Sequence, residues 1–163
     1  MKGIFPMVDS LKPIVEKQGE GHTLQFSPSE RLIWKATAAT TGGIMDQFEL
    51  IADPDHFGAP EHVHHSVDEF FYVLEGAFRF KVGDEQVTVG VGSFLFVPRG
   101  VHHTWRNGAE VQSRMILTYI PGGMEPFFEE VAPYMFADPV DMTSIEKINQ
   151  KYNTDVVGPP LPA

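Results

Sequence analysis

The chain has 163 residues, no cysteine and a formal net charge of −10, with 42% hydrophobic residues and 13 phenylalanines. That length is ordinary for one domain and can bury a full core. Without cysteine there are no disulfides or thiolate metal sites, so any metal must be held by nitrogen and oxygen, which favours an open site over a structural zinc knot. The acidic balance argues against nucleic acid or an anionic membrane surface as a partner, since both call for a basic patch.

Residues 1–20 carry Lys2, Asp9, Lys12, Glu16 and Lys17 and no long apolar run, a pattern unlike a secretory signal. No stretch approaches a membrane span, and the expected location is the cytoplasm. Short runs of β-branched and aromatic residues then recur, broken by Gly, Pro, Asn and Asp. They predict strands over residues 23–26, 31–37, 44–52, 62–64, 69–75, 77–82, 86–89, 93–97, 102–106 and 113–120. In Phe78-Arg79-Phe80-Lys81-Val82 the apolar residues take one face, and Gly83-Asp84-Glu85 after it reads as a hairpin turn. Many short, evenly spaced strands predict an all-β antiparallel sandwich or barrel. After Pro121-Gly122-Gly123 the pattern changes to two short helices, over residues 124–132 and 143–151, the second with Thr143 as its N-cap. The tail Gly158-Pro159-Pro160-Leu161-Pro162 reads as extended and unfit for a central strand. The absence of an internal repeat or linker predicts one domain over 1–163, with a barrel core at about 23–120 and a helical extension over 121–163.

Four side chains stand at spacings that can converge on one metal ion: His62, His64, Glu69 and His103. Residues two apart on a strand share a face and lie roughly 6.6 Å apart along it, so His62 and His64 can reach one ion while Val63 points away. Glu69 follows His64 by an odd offset, which requires a bend at Ser66 and Asp68. His65 and His102 fall on the opposite faces from their neighbours and are set aside by that parity. A one-residue bulge would exchange His102 for His103. His22 and His56 have no patterned partners and read as surface or hydrogen-bonded histidines.

With ligands and strands placed, the chain resembles the cupin superfamily. The first cupin motif appears as His62-x-His64, then Glu69 and Gly76; the second is matched by Gly92, Pro98, Gly100, His103 and Asn107. Its spacing selects His103 over His102. The one departure is the leading glycine, expected at position 56, where this chain has His56; Gly58 lies nearby. The resemblance implies a cupin-type double-stranded β-helix, a jelly-roll barrel, with short C-terminal helices. The phrases Phe71-Tyr72-Val73-Leu74-Glu75-Gly76 and Pro121-Gly122-Gly123 are more narrowly similar to small bacterial cupins of the quercetin 2,3-dioxygenase type.

The donor set suits one divalent transition metal: Fe, Mn, Ni, Co, Cu or Zn. An octahedral ion would keep two positions open for water, O2 or a chelating substrate, where it acts as a Lewis acid and a template. Strand alternation turns Phe71 inward with Glu69 and Trp105 inward with His103. Phe48, Met115, Leu117 and Tyr119 on flanking strands are further candidates for binding a planar, apolar substrate with two vicinal oxygens. The resemblance implies a metal-dependent dioxygenase acting on a flavonol-like or enolic aromatic compound, with Glu69 as catalytic proton acceptor, and a homodimer. A non-oxidative isomerase or decarboxylase, or a binding module without catalysis, would use the same ligands. The 124–132 helix either covers the barrel mouth or packs outside the sheet.

Overall fold

A computed structural model describes residues 11–54, 56–135 and 137–163; the first half of the segment read for a secretory signal, residues 1–10, lies outside the described residues. Alternation of apolar and polar residues dictates the strands. β1 (Thr23–Ser27), β2 (Glu30–Ala36) and β3 (Asp46–Ala52) form a meander, interrupted by a one-turn helix α1 (Ala38–Thr41). β4 (Pro60–His64), β5 (Asp68–Glu75), β6 (Ala77–Val82), β7 (Glu85–Gly90), β8 (Phe94–Val97), β9 (His103–Asn107) and β10 (Ser113–Ile120) follow. Every strand expected from sequence is present with small shifts at its ends. Thr37, expected to end a strand, is instead the N-cap of α1, where its N–H donates to Thr40 Oγ1 at 2.9 Å.

The strands form two antiparallel sheets, one ordered β1-β2-β3-β10-β5-β8 and the other containing β4-β9-β6-β7. Phe48, Leu50, Phe71, Phe78, Phe80 and Met115 are almost fully buried in one hydrophobic core. Phe78 and Phe80 are buried while Arg79 and Lys81 on the alternate face are partly exposed, as the period-two pattern requires. The β6–β7 turn is Gly83-Asp84, with Val82 opposite Glu85 and Gly83 at φ +56°. Gly76, at φ +69°, sits so close to Ser113 that a Cβ would lie 2.1 Å from its hydroxyl.

The C-terminal part adds α2 (Glu125–Met135), α3 (Met142–Lys151) and β11 (Thr154–Pro160). Asp141, rather than Thr143, caps α3: its carboxylate accepts the Ser144 N–H at 3.0 Å and the Ser144 hydroxyl at 2.8 Å. The two caps compete in sequence because both residue types suit the position. The extended tail lies at the edge of the second sheet, against β4, with His64 opposite Thr154. Its prolines sit at the strand's C-terminal end, with Pro160 opposite Pro60, on the edge strand where proline is tolerated.

Candidate metal centre

β4 carries His62 and His64 on one face, and His62 pairs directly with His103 at the start of β9. Glu69 arrives from the other sheet, on β5 beside β8 and β10. The bend expected between His64 and Glu69 is the crossing from one sheet to the other. Asp68 holds it through Arg99, whose backbone N–H, Nε and Nη2 donate to the Asp68 carboxylate at 2.9 to 3.0 Å. Gly100 N–H donates to His64 O at 2.8 Å, tying the Pro98-Arg99-Gly100 turn to the same place.

The four ligating atoms lie within 4.8 Å of one another, a cluster that can hold a metal ion. Each imidazole is fixed through Nδ1. His62 Nδ1 donates to Pro60 O at 2.8 Å and His103 Nδ1 to Val101 O at 3.2 Å. His64 Nδ1 lies 2.9 Å from Thr154 Oγ1. Such outer partners set the tautomer and turn Nε2 toward the centre. His64 Nε2 is buried without a hydrogen bond, 3.5 Å from Glu69 Oε2, and His103 Nε2 lies 2.7 Å from that same oxygen. Three nitrogens and one carboxylate oxygen, with one buried nitrogen unpaired, fit a divalent transition metal.

The electrostatics agree. Burial, reinforced by the charges of His103 and His64, pushes the His62 pKa down to about 3, so its imidazole is neutral at pH 7. Burial alone would raise the Glu69 pKa, but His103 and His64 outweigh it and hold the carboxyl well below its ordinary range. Burial opposes protonation of His103 as well, yet Glu69 raises its pKa. A metal ion at this cluster would compete with protons for the same donor atoms.

A cavity of about 150 Å³ opens beside the cluster, with His62, His64 and Glu69 in its wall. Phe48, Trp105 and Tyr119 line it, as do Leu50 and Leu117. Phe71 and Met115, also expected against the substrate, are outside the lining; Phe71 packs its edge against Phe80 and lies 6.2 Å from His103. Phe127, Phe128 and Val131 of α2 and Ile145 of α3 are also in the wall, so the C-terminal helices border the cavity. His65 and His102 point elsewhere, to Asp155 at 2.8 Å and to Glu61 at 2.5 Å. Burial and then Glu69 raise the Tyr119 pKa well above 10, so this phenol keeps its proton.

The sequence reading missed three contributors. Thr154, which positions His64, belongs to a strand with little alternation of its own. Glu30 and His56 line the cavity, both buried. The signal for His56 was its place at the motif's glycine. Gly58 supplies the needed backbone two residues on, at φ +66°, where a Cβ would lie 1.9 Å from Trp105 O. Asn107 closes the motif as a bracket: its amide donates to Ala52 O, Asp53 O and Val111 O at 2.9 to 3.0 Å.

Comparison with known proteins agrees with this architecture. Residues 48–119 match the family model of the Cupin domain. The chain is 30% identical over 129 residues to quercetin 2,3-dioxygenase of Bacillus subtilis (strain 168), which covers 77% of this chain and 37% of that protein; it thus spans little more than a third of that relative. It is 30% identical over 95 residues to Protein SchB of Streptomyces halstedii, covering 58% of this chain and 67% of that one. The solved structure of KdgF from Halomonas sp. superposes with a TM-score of 0.60 over 69% of this chain and 96% of that chain at 18% identity, a likeness of fold. With its two facing antiparallel sheets, its His-His-Glu-His cluster and these relatives, the chain belongs to the cupin superfamily.

Proposed function

We propose that the protein is a metal-dependent enzyme of dioxygenase type acting on a small planar substrate with vicinal enolic oxygens. The observation that carries this reading is the buried cluster of His62, His64, Glu69 and His103, three of which line an apolar cavity bordered by α2 and α3. A divalent transition metal on those ligands supplies Lewis acidity and a template for the substrate's oxygens. Glu69 is ionised and so free to accept the enol proton, but its pKa, lowered against burial by His103 and His64, makes it a weak base rather than one tuned up toward neutrality. The protonated hydroxyl of Tyr119, the residue paired with Glu69, is a hydrogen-bond donor. Phe48 and Trp105 flank the ring, and apolar residues of α2 and α3 border it. Phe71 and Met115 act from behind this wall, by packing.

Size narrows the substrate. An apolar cavity of about 150 Å³ holds a molecule the size of benzene. A single-ring enediol therefore fits within it, whereas a three-ring flavonol would extend beyond it. The proposal includes one cupin domain over 1–163, a cytoplasmic location and a homodimer. No helix among the described residues is long and apolar enough to cross a membrane.

Oxygen uptake by metal-loaded protein with a panel of enediols and flavonols tests the reading. Uptake is expected, abolished by chelation and reduced at least about a hundredfold in Glu69→Gln. Binding of these compounds without oxygen consumption removes the dioxygenase reading. Turnover that proceeds without oxygen assigns the isomerase or decarboxylase class instead. Elemental analysis of untagged protein from its native host names the metal among Fe, Mn, Ni, Co, Cu and Zn.

A further inference from the structure

A second polar group faces the same cavity, and the chemistry above leaves it unused. Glu30 opens β2 and is 5% exposed; His56, in the loop between β3 and β4, is 3% exposed. Both line the cavity. The Ser29 hydroxyl lies 2.7 Å from His56 Nδ1, and the His56 ring stacks on Phe57 and lies 5.7 Å from Trp105. His56 Nε2 is 3.0 Å from Glu30 Oε2, yet it has no hydrogen bond. The contact has the distance of a hydrogen bond without its angles. Burying a carboxylate and an imidazole in an apolar wall is unfavourable unless partners satisfy them. A pair kept only to hold the loop would be expected to make that bond.

Position separates this pair from the metal-binding cluster. Across the sheet, Glu69 pairs with Tyr119, whereas Glu30 pairs with Ala52 and Ala52 with Ser113, six residues from Tyr119 along β10. Phe48, Leu50 and Leu117 lie on the intervening rungs and line the cavity. Glu30 thus stands on a different rung of the wall from the cluster, yet near enough for its charge to act on Tyr119 beside Glu69. A few placed polar groups in an apolar pocket orient a ligand.

We infer that Glu30, oriented by His56 and Ser29, accepts a hydrogen bond from a hydroxyl at the end of the substrate remote from its metal-bound oxygens. The inference rests on the reading that enolic oxygens bind at the four-residue cluster. It names a substrate class: a single ring with vicinal oxygens at one end and a hydroxyl at the other. Glu30 is the recognition residue and His56 a positioning residue.

Zinc-loaded protein in oxygen-free buffer provides the test, because zinc has no redox chemistry and the catechol stays intact. Calorimetry compares 4-(hydroxymethyl)catechol with 4-ethylcatechol, which replaces the remote hydroxyl by a methyl group. The wild type is expected to bind the first about tenfold more tightly. In Glu30→Met the two affinities converge. In the shape-preserving Glu30→Gln the preference shrinks several-fold, and in His56→Gln it falls as well. Zinc affinity stays within about twofold in each, a readout that general misfolding would not preserve. Equal binding of both catechols by the wild type, a preference that survives both Glu30 variants, or no binding of either compound overturns the inference. Oxygen uptake is measured separately, so a failed dioxygenase reading and a failed recognition site give different results.

Discussion

Asp46→Asn tests how the fold fastens α2 beside the cavity. Asp46 starts β3, is fully buried and pairs across the sheet with Tyr119. Its Oδ1 accepts the N–H of Ala38, the first residue of α1, at 2.5 Å. Its Oδ2 accepts the N–H groups of Gly123 at 2.6 Å, Met124 at 2.5 Å and Glu125 at 3.2 Å, at the start of α2. One carboxylate thus satisfies four backbone donors, three of them at a helix N-terminus where negative charge is favoured. Asparagine keeps the shape but has only one oxygen. Whichever way the amide turns, its NH2 faces either the Ala38 donor or the α2 donors. The cheaper orientation leaves Ala38 N–H unsatisfied at about 1–3 kcal/mol and weakens the remaining bonds by removing their charge. The expected loss is about 2–4 kcal/mol, a large share of a typical ~5–15 kcal/mol stability. Urea unfolding measures it, and limited proteolysis shows whether cleavage concentrates in α2. A loss below about 1 kcal/mol with no new cleavage in α2 would refute the reasoning, since water would then be replacing Asp46 at little cost.

Gly58→Ala should lower the melting temperature more than Gly92→Ala. Both glycines have positive φ, a strain of about 1–2 kcal/mol for alanine, but only at Gly58 does a Cβ also strike backbone, at Trp105 O; Gly92 has open space. Equal shifts would count against that contact. At the α3 cap, the Ser144 N–H and then its hydroxyl hold the Asp141 pKa below its ordinary value. A depressed folded pKa means the cap's contribution is present above the unfolded pKa and is lost as pH falls through the folded one. The stability difference between wild type and Asp141→Asn should therefore shrink below pH ~4, measured by urea midpoints; a difference independent of pH contradicts it. For the proposed homodimer, β8 is an edge strand bearing Phe94 and Phe96, 62% and 45% exposed, with Phe70 stacked on Phe96. Exposed edges invite pairing, and Phe94→Glu should give a monomer by light scattering; an unchanged dimer moves the interface elsewhere.

The clustering of His62, His64, Glu69 and His103 was legible because two independent constraints met on them. Strand parity placed His62 with His64 and excluded His65 and His102, and motif spacing chose His103. The bend before Glu69 was legible as well, since an odd offset cannot share one face. Elements that depend on a tertiary partner were not legible. α1 is a single turn closed by Thr37 and Thr40, too short to show periodicity. β11 gains its ladder only from β4, and so Thr154 could not be seen behind His64. Alternation turned Phe71 and Met115 inward correctly, as their burial shows. But inward in a barrel has two outcomes, core or cavity wall, and which end stays open depends on where α2 and α3 land. His56 is the instructive case. A histidine where a glycine is expected looked like a tolerated shift, because Gly58 restores the backbone two residues later. The structure shows what that shift allows: position 56 is released from its backbone duty and carries a buried imidazole beside Glu30 in the cavity wall. A departure from a motif can thus free a position for chemistry that the motif itself does not encode.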